Sequence, residues 1–304
     1  MTRVAVLLST YNGEAFLEAQ LRSLLAQTHR DWVLYWRDDG SADGTERLVT
    51  AFEQELGAGW CVRLLGPRVG TAASFLMLLR AAHADGTDIV AFMDQDDVWL
   101  PEKLARGLAA LQTTPASQPA LYCARQILVN ARLDSIATSP PLRREPGFPT
   151  ALTQNIATGC TVMLNAAATA LVSRSRAPPA CMHDWWCYLL IAAAGGHILA
   201  DGEPVVLYRQ HDDNLIGAAA SRSRRAIAAL RRGPGAFMAI FRQNVAALAE
   251  QRELLAPSAR DQVARIAAAL QAGTRDRLSA LRLPGLVRQT RLETLLFRLW
   301  FLLG

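Results

Sequence analysis

The 304-residue chain has very little lysine, and its few cysteines do not occur at the C-x-x-C spacing. Lys103 is its only lysine, so arginine supplies nearly all of the 32 basic side chains. The cysteines number five, an odd count, and no C-x-x-C pair occurs among them. A paired-cysteine metal or redox motif is therefore excluded, and we expect free thiols in a reducing compartment. A chain of this length buries enough surface to fold without disulfides.

Long hydrophobic runs and glycine-rich cofactor motifs are missing as well. No stretch reaches the roughly 18 apolar residues that a membrane-spanning helix needs. The first thirteen residues lack the cleavage region of a secretory signal peptide, so we expect a cytoplasmic protein. The absence of G-x-G-x-x-G after the first predicted strand, and of a Walker A motif, argues against a dinucleotide site and a P-loop.

Acidic and basic residues are unevenly divided along the chain. Residues 1–217 carry 17 basic and 22 acidic side chains, whereas residues 218–304 carry 15 basic and five acidic ones. The formal net charge of +5 therefore comes from the C-terminal part. Such a segment can bind nucleic acid, an anionic membrane surface or an acidic partner. No recognised nucleic-acid-binding motif accompanies the charge, so we expect no nucleic-acid partner.

Strand and helix patterns alternate through the first hundred residues. The predicted strands cover residues 4–9, 32–36, 61–65 and 89–93, and the predicted helices cover 15–27, 45–56 and 72–84. Alternation with short connections predicts βαβ units and a parallel sheet. Such sheets bind ligands at the carboxyl ends of their strands, and polar residues cluster there after the first, second and fourth strands.

The pattern is mixed beyond residue 100. We expect helices at 101–111, 166–173 and 184–194, strands at 122–129, 161–164, 198–200 and 205–208, and proline-containing loops at 139–149 and 175–181. After Ile216 the pattern is helical to the end of the chain. These elements predict an α/β domain over residues 1–217, with halves at about 1–112 and 113–217, and a helical basic extension over 218–304.

The most informative stretch is D-Q-D-D, from Asp94 to Asp97, directly after the fourth strand. Three carboxylates within four positions repel one another, so they are costly at a strand end unless a cation lies among them. Mg²⁺ and Mn²⁺ take oxygen ligands of this kind, usually together with substrate phosphates. The alternative is a solvated acidic loop that caps the next helix. The position at the ligand-binding edge of the sheet favours a cation site.

Three further clusters have both a structural and a functional interpretation. Asp38 and Asp39 end the second strand, where an acid commonly binds a nucleoside but also favours a turn. Asp184 can cap a helix or, beside two tryptophans, act as a general base whose pKa is raised by apolar surroundings. His211 can be a structural residue, or it can bind a metal or a diphosphate.

In order and spacing, these motifs resemble family 2 glycosyltransferases, whose GT-A fold has a Rossmann-like, mostly parallel sheet flanked by helices. The matching segments are S-T-Y-N-G from Ser9, D-D-G-S-A-D-G-T from Asp38, D-Q-D-D-V-W from Asp94, A-T-G-C-T from Ala157, H-D-W-W from His183 and Y-R-Q-H from Tyr208. The resemblance covers residues 3 to about 217. Within the family, D-Q-D-D-V-W with the later H-D-W-W and Y-R-Q-H is similar to a rhamnosyltransferase-like branch that builds bacterial cell-surface polysaccharides.

The resemblance implies a role for each matching residue. It places the nucleotide-sugar donor on Thr10, Tyr11, Asn12, Asp38 or Asp39, Asp94, Gln95 and Asp96. Asp96 is then the direct ligand of a Mg²⁺ or Mn²⁺ ion, and Asp94 lies nearer the ribose. His211 matches a position that binds metal or diphosphate, and Asp184 matches the catalytic base.

The implied function is inverting, metal-dependent transfer of a sugar to a hydroxyl of a cell-surface polysaccharide or lipid-linked acceptor. L-rhamnose from dTDP-rhamnose is the favoured donor. The alternatives are a UDP-hexose or UDP-N-acetylhexosamine donor, or a catalytically silent subunit that only binds nucleotide sugars. Arg68 and the pair Asp212–Asp213 depart from the branch pattern, and either departure can alter donor choice.

The C-terminal segment from Leu292 to Gly304 is apolar but too short to span a bilayer. We expect peripheral contact with the inner face of the cell membrane, with Trp300 and the leucines in lipid and arginines at the head groups. The cationic run includes Arg222, Arg224, Arg225, Arg231 and Arg232. The alternative is a helix packed on the catalytic domain or on a second subunit, which leaves a homo-oligomer open.

Overall fold

The computed structural model describes residues 2–179, 181–211 and 222–304, and for residues 222–234 it describes the backbone. Two sequence predictions lie outside these limits. Asp212 and Asp213 are not among the described residues, and the side chains of the arginine run between 222 and 232 are not described either.

The described residues form strands and helices in close to the predicted order. The strands are β1 (Val4–Thr10), β2 (Trp32–Asp38), β3 (Cys61–Arg63), β4 (Ile89–Met93), β5 (Val98–Trp99), β6 (Ala120–Val129), β7 (Ser135–Thr138), β8 (Met163–Asn165) and β9 (His197–Arg209). The helices are α1 (Glu14–Leu25), α2 (Thr45–Leu56), α3 (Thr71–Ala84), α4 (Lys103–Leu111), α5 (Thr150–Thr153), α6 (Ala166–Arg174), α7 (His183–Ala193), α8 (Arg222–Glu250), α9 (Pro257–Gln271), α10 (Thr274–Ala280) and α11 (Arg291–Leu303).

One sheet contains these strands in the order β3-β2-β1-β4-β8-β6-β9-β5, with β7 paired to β6. β1 lies parallel between β2 and β4, and β3 is parallel to β2, which is the predicted βαβ half. β8 runs antiparallel to β4 and β6, whereas β6 and β9 are parallel. The expected α/β fold is confirmed.

Buried side chains form an apolar core on each face of the sheet. Successive side chains of a strand point to opposite faces, so Ala5 and Leu7 belong to one core and Val4, Val6 and Leu8 to the other. The first core continues through α3 and α7 into the C-terminal helices. The predicted helical extension is therefore present, and its inner side is built into the main hydrophobic core.

Some element boundaries differ from the predictions. The two short strands expected at 198–200 and 205–208 are one strand, β9, because its pairing with β6 continues across an irregularity near Pro204. The Gly202 and Pro204 turn signal therefore marks a bulge. β3 ends at Arg63 rather than at residue 65, and β5 and β7 are too short to show a period in the sequence.

Candidate active site

The predicted site residues meet at one edge of the sheet. The register pairs Thr10 of β1 with Asp38 of β2, and Leu8 of β1 with Met93 of β4. The three parallel strands thus end at nearly the same level. As a consequence, the loops that begin with Tyr11 and with Asp94 emerge side by side.

Asp38 shapes the loop after β2 through hydrogen bonds to its own neighbours. Its carboxylate accepts bonds from the Thr10 hydroxyl at 2.9 Å, from the Gly40 and Ser41 N–H groups at 3.0 and 2.7 Å, and from the Ser41 hydroxyl at 2.6 Å. Asn12 ties the loop after β1 to the same turn, because its side-chain oxygen accepts the Ala42 N–H at 2.8 Å. These predicted donor-site residues therefore form one connected wall.

Gln95 joins that wall to the acidic run. Its side-chain amide accepts the Tyr11 N–H and donates to the Tyr11 carbonyl, both at 2.9 Å. Gly13, two residues after Tyr11, leaves room for this clamp, because a Cβ there would clash with Gln95 Oε1. The side chain of Gln95 therefore positions the backbone of Tyr11 and makes no hydrogen bond to the Tyr11 side chain.

The ring of Tyr11 is stacked beneath an arginine that sequence reasoning identified only as a departure from the pattern. Arg68 lies with its guanidinium carbon 4.1 Å from the ring centroid. The Arg68 loop is held by buried Asp39, which accepts the Val69 and Gly70 N–H groups at 2.8 and 2.7 Å and pairs with Arg37. Burial tends to raise the pKa of Asp39, but Arg37 and the two N–H groups outweigh it and lower this pKa.

The two predicted metal residues are brought together although they are far apart in the sequence. His211 Nε2 lies 2.9 Å from Asp96 Oδ2, at the point where β9 ends beside the acidic run. Both side chains are only partly exposed, 22% for Asp96 and 15% for His211. The carboxylate oxygen is a ligand of the kind that Mg²⁺ and Mn²⁺ take, and the imidazole nitrogen adds a ligand typical of transition metals.

A second cluster combines two carboxylates of the predicted acidic run with Cys160, which was not predicted to take part. Asp94, Asp97 and Cys160 have ligand atoms within 4.8 Å of one another. Asp97 is fully buried and accepts the Arg209 N–H at 3.0 Å. Burial, followed by the charges of Asp96 and Asp94, raises the pKa of Asp97 well above its usual range.

Lys103 is the cation of this buried cluster. Its side chain is fully buried, and Nζ lies 3.6 Å from the centroid of the Trp99 ring without a hydrogen-bond partner among the described residues. Burial lowers the pKa of Lys103 to about 7, while Cys160, Asp94 and Asp97 act in the opposite direction. The only lysine of the chain therefore lies next to the buried acids, whose charge favours its protonated form while burial opposes it.

Replacing this cation tests its role. We expect Lys103→Met to lower the free energy of unfolding by about 2 kcal/mol, because it removes a buried ammonium from the face of the Trp99 ring and from the neighbourhood of Asp94 and Asp97. Urea denaturation measures the change. Adding Asp97→Asn to Lys103→Met should restore part of the loss, whereas strictly additive effects would contradict direct coupling of the two residues.

Asp184 lies in the first turn of α7 and does not cap it. The N-cap position belongs to Met182, so the cap interpretation of Asp184 is wrong. The carboxylate accepts the Gly159 N–H at 3.0 Å and the Trp185 N–H at 2.6 Å, and it is only 5% exposed. Burial raises the pKa of Asp184 to about 6, although these N–H groups and the Asn155 side chain act in the opposite direction.

Gly159 lies between Asp184 and the acidic run. Its N–H binds Asp184, and a Cβ on Gly159 would lie 3.6 Å from Asp94 Oδ2 and 3.0 Å from His183 Nε2. The charge of Asp184 in turn adds to burial and Asp96 in raising the pKa of Asp94. The His183 ring stacks on Phe75 with centroids 4.1 Å apart, and burial lowers its pKa to about 3, so it is neutral.

The arrangement combines a loop cluster suited to a nucleotide, an acid–histidine pair suited to a divalent cation, and a buried carboxylate suited to accept a proton. Comparison with known proteins agrees with it. The model of glycosyl transferase family 2 matches residues 5–173, and the chain belongs to this family. It is a nucleotide-sugar glycosyltransferase of the GT-A type.

Individual relatives are more distant. The dTDP-rhamnosyl transferase RfbG of Shigella flexneri is 25% identical over 229 residues, which cover 69% of this chain and 74% of RfbG. The structure resembles Staphylococcus aureus TarS, solved with UDP-GlcNAc, with a TM-score of 0.60 and 16% identity over 88% of this chain and 72% of the TarS chain. It also resembles the mannosyltransferase PcManGT of Pyrobaculum calidifontis, solved with GDP-Man and Mn²⁺. The TM-score is 0.50 and the identity 19%, and the match covers 98% of this chain and 87% of the PcManGT chain.

Proposed function

We propose that the protein is an inverting, metal-dependent glycosyltransferase that moves L-rhamnose from dTDP-rhamnose to a hydroxyl of a cell-surface polysaccharide or lipid-linked acceptor. The observation that supports this most is the position of buried Asp184 next to Asp94, across Gly159. A buried base beside the acidic run, together with a pair of candidate cation ligands in that run and at His211, suits direct transfer of a sugar from one oxygen atom to another.

The proposed reaction is a single displacement. The acceptor oxygen forms a bond to the anomeric carbon while the bond from that carbon to the diphosphate oxygen breaks, and the electron pair leaves with the nucleoside diphosphate. Asp184 accepts the proton of the acceptor hydroxyl. Its buried carboxylate suits this role, because a pKa near 6 leaves it ionised at pH 7 and still basic enough to take a proton.

Asp96 and His211 are the residues that we propose to hold a divalent cation, Mg²⁺ or Mn²⁺. Their 2.9 Å separation and partial exposure fit an ion reached from the donor side. When bound there, the ion supplies Lewis-acid stabilisation of the charge that develops on the departing diphosphate.

Donor recognition falls on the loops after β1, β2 and β4 and on the Arg68–Tyr11 stack. We assign the nucleoside to Thr10, Tyr11, Asn12, Asp38 and Asp39, and the ribose and diphosphate side to Asp94, Gln95 and Asp96. The similarity to RfbG over most of the chain favours a dTDP-rhamnose donor. TarS, which was solved with UDP-GlcNAc, is the reason to keep a UDP-N-acetylhexosamine as the alternative.

We propose the cytoplasm, at the inner face of the cell membrane, as the place of action. All five cysteines are free thiols, as in a reducing compartment. We also propose that residues 1–217 are the catalytic domain, with the donor half at about 1–112 and the acceptor half at about 113–217.

A thermal-shift screen tests the donor. A ligand that binds the folded state raises the melting temperature of the protein, so we expect dTDP and dTDP-rhamnose to do so in the presence of Mn²⁺ and to lose most of the effect with chelator. A shift with UDP compounds alone would replace the donor and keep the reaction. No shift with any nucleotide would contradict both the proposed function and the alternative of a silent subunit that binds nucleotide sugars.

A further inference from the structure

The last helix, α11, has two apolar faces, and only one of them is used by the fold. Its inner face carries Phe297, Trp300 and Phe301, which are buried against Phe237 and Phe241 of α8. The expectation that Trp300 lies in lipid is therefore wrong, because this side chain packs into the core of the protein. A helix of a soluble domain normally presents polar residues on the opposite face.

The outer face of α11 instead carries a row of leucines. They are spaced by three and four residues, so they fall on one side of the helix, and each is between 51% and 73% exposed. This leucine row consists of Leu292, Leu295, Leu299 and Leu303. A contiguous exposed apolar stripe of this kind marks an interaction surface.

The helix that carries the leucine row is formed by the protein itself. Thr290 and Glu293 make a capping box at its start, with the Glu293 N–H donating to Thr290 Oγ1 at 3.2 Å and the Thr290 N–H donating to Glu293 Oε2 at 3.1 Å. The buried aromatic face then fixes its rotation. The leucine row therefore faces outward in the folded protein, and the helix that carries it is ordered without a partner.

Positive charge borders the leucine row. Arg291 and Arg298 are exposed and lie four residues before and three residues after Leu295, on one flank of the row. The whole segment from residue 218 carries 15 basic and five acidic residues. An apolar row flanked by arginines suits an anionic lipid surface. A second copy of the same face would bring the arginines of two identical flanks together.

We propose that the leucine row of α11 and its flanking arginines are the surface by which this protein binds an anionic phospholipid membrane. None of the helices in the described part of the chain has the length and hydropathy of a membrane span, so this contact is peripheral. This proposal names the surface that would hold the protein at the membrane proposed above as its place of action. It rests on the proposed function only in one respect, namely that a lipid-linked acceptor gives the enzyme a reason to bind a membrane.

The surface is rigidly connected to the candidate active site. The connection before α11 is bonded to α5, where Thr150 and Thr153 donate to the carbonyls of Gly285 and Val287 at 2.8 and 2.7 Å. α5 in turn accepts the indole N–H of Trp185, the neighbour of Asp184, at 2.8 Å through the Ala151 carbonyl. A membrane bound by α11 is thus held in a fixed orientation relative to the proposed base.

Vesicle flotation of the full chain tests the proposal. We expect binding to phosphatidylcholine vesicles that contain phosphatidylglycerol, weaker binding as salt is raised, and little binding to phosphatidylcholine alone. In the variant Leu295→Gln/Leu299→Gln, the partition coefficient should fall about tenfold or more, because each leucine loses its transfer from water to hydrocarbon. Arg291→Gln/Arg298→Gln should lose the preference for the anionic vesicles.

The matched control is Leu65→Gln, which alters a leucine that is 76% exposed in the loop after β3. It should bind vesicles like the unchanged protein. Circular dichroism and thermal unfolding should be unchanged in every variant, because the substituted side chains are exposed. Nucleotide binding and transfer to a water-soluble acceptor serve as a separate readout, so failure of the donor assignment does not affect this test.

Two results would overturn the proposal. One is equal vesicle binding by the unchanged protein and the double leucine variant, or no binding by either. The other is a dimer that light scattering detects for the unchanged protein and that the leucine substitutions convert to a monomer, which would make the row an interface between copies.

Discussion

Asp184→Asn is expected to abolish sugar transfer while leaving nucleotide binding intact. The amide has nearly the same shape and can still accept the Gly159 N–H bond, but it cannot take the proton of the acceptor hydroxyl. Positioned general bases contribute about 10² to 10⁴ in rate, so we expect kcat to fall by about 10³-fold. The measurement is product formation under saturating donor, paired with calorimetric titration of the nucleoside diphosphate.

The control for this substitution is Asp276→Asn. Asp276 also lies in the first turn of a helix, α10, but it is exposed and far along the chain from the sheet edge. Its replacement should leave both kcat and nucleotide affinity unchanged. If Asp184→Asn instead lost nucleotide affinity in proportion to activity, the residue would belong to the donor site and the assignment as base would fail.

The pH dependence of the unchanged enzyme gives an independent check on Asp184. Burial raises the pKa of this carboxyl to about 6, so it is ionised and able to accept a proton above that pH and protonated below it. Activity should therefore fall as the pH is lowered through about 6. A rate that stays level well below this pH would argue against Asp184 as the proton acceptor.

The parallel half of the sheet was predictable from the sequence for a physical reason. β1 and β4 are buried on both faces, so they read as continuous apolar runs bounded by polar residues, and the helices between them keep a clear period. Their order in a βαβ pattern then fixes which ends meet. The grouping of the acidic run with the loops after β1 and β2 follows from that geometry alone.

The environment of Asp184 could not be obtained in the same way. Its pKa depends on burial and on the Gly159 N–H, and Gly159 is 25 residues away in the chain. Local sequence favours an N-cap, yet tertiary packing starts α7 one residue earlier at His183. The buried set of Lys103, Asp97 and Cys160 was missed for the same reason, since its members come from three separate elements.

The roles of individual donor-site residues also exceed what a motif can state. The side chains of Asp38 and Asn12 form hydrogen bonds that hold the loops in place, and Gln95 fixes the backbone of Tyr11. The assignment of these residues to the nucleotide stays a prediction. What the structure adds is that substituting any of them will change the shape of the loops after β1 and β2 as well as the contacts that these loops offer.

Asp96→Asn is expected to remove metal-dependent activity and to raise the divalent-ion concentration needed for any that remains. The carboxylate lies 2.9 Å from His211 at the donor edge, and its loss leaves the imidazole as the one group of this pair able to hold the ion. Lewis-acid stabilisation is worth several kcal/mol, so we expect kcat to fall by about 10³-fold. Titration of activity with Mn²⁺ measures both effects.

Asp88→Asn is the matched control, because Asp88 is exposed at the opposite end of the strand that delivers Asp96. It should titrate with Mn²⁺ like the unchanged enzyme. His211→Ala should move the metal requirement in the same direction as Asp96→Asn, and combining the two should cost less than the sum of the separate losses, since both act on one ion. If the Asp96→Asn enzyme showed an unchanged Mn²⁺ dependence, the assignment of the cation to Asp96 and His211 would fail. The buried group of Asp94, Asp97 and Cys160, whose ligand atoms also lie close together in the described part of the chain, would then be the better candidate for the cation site.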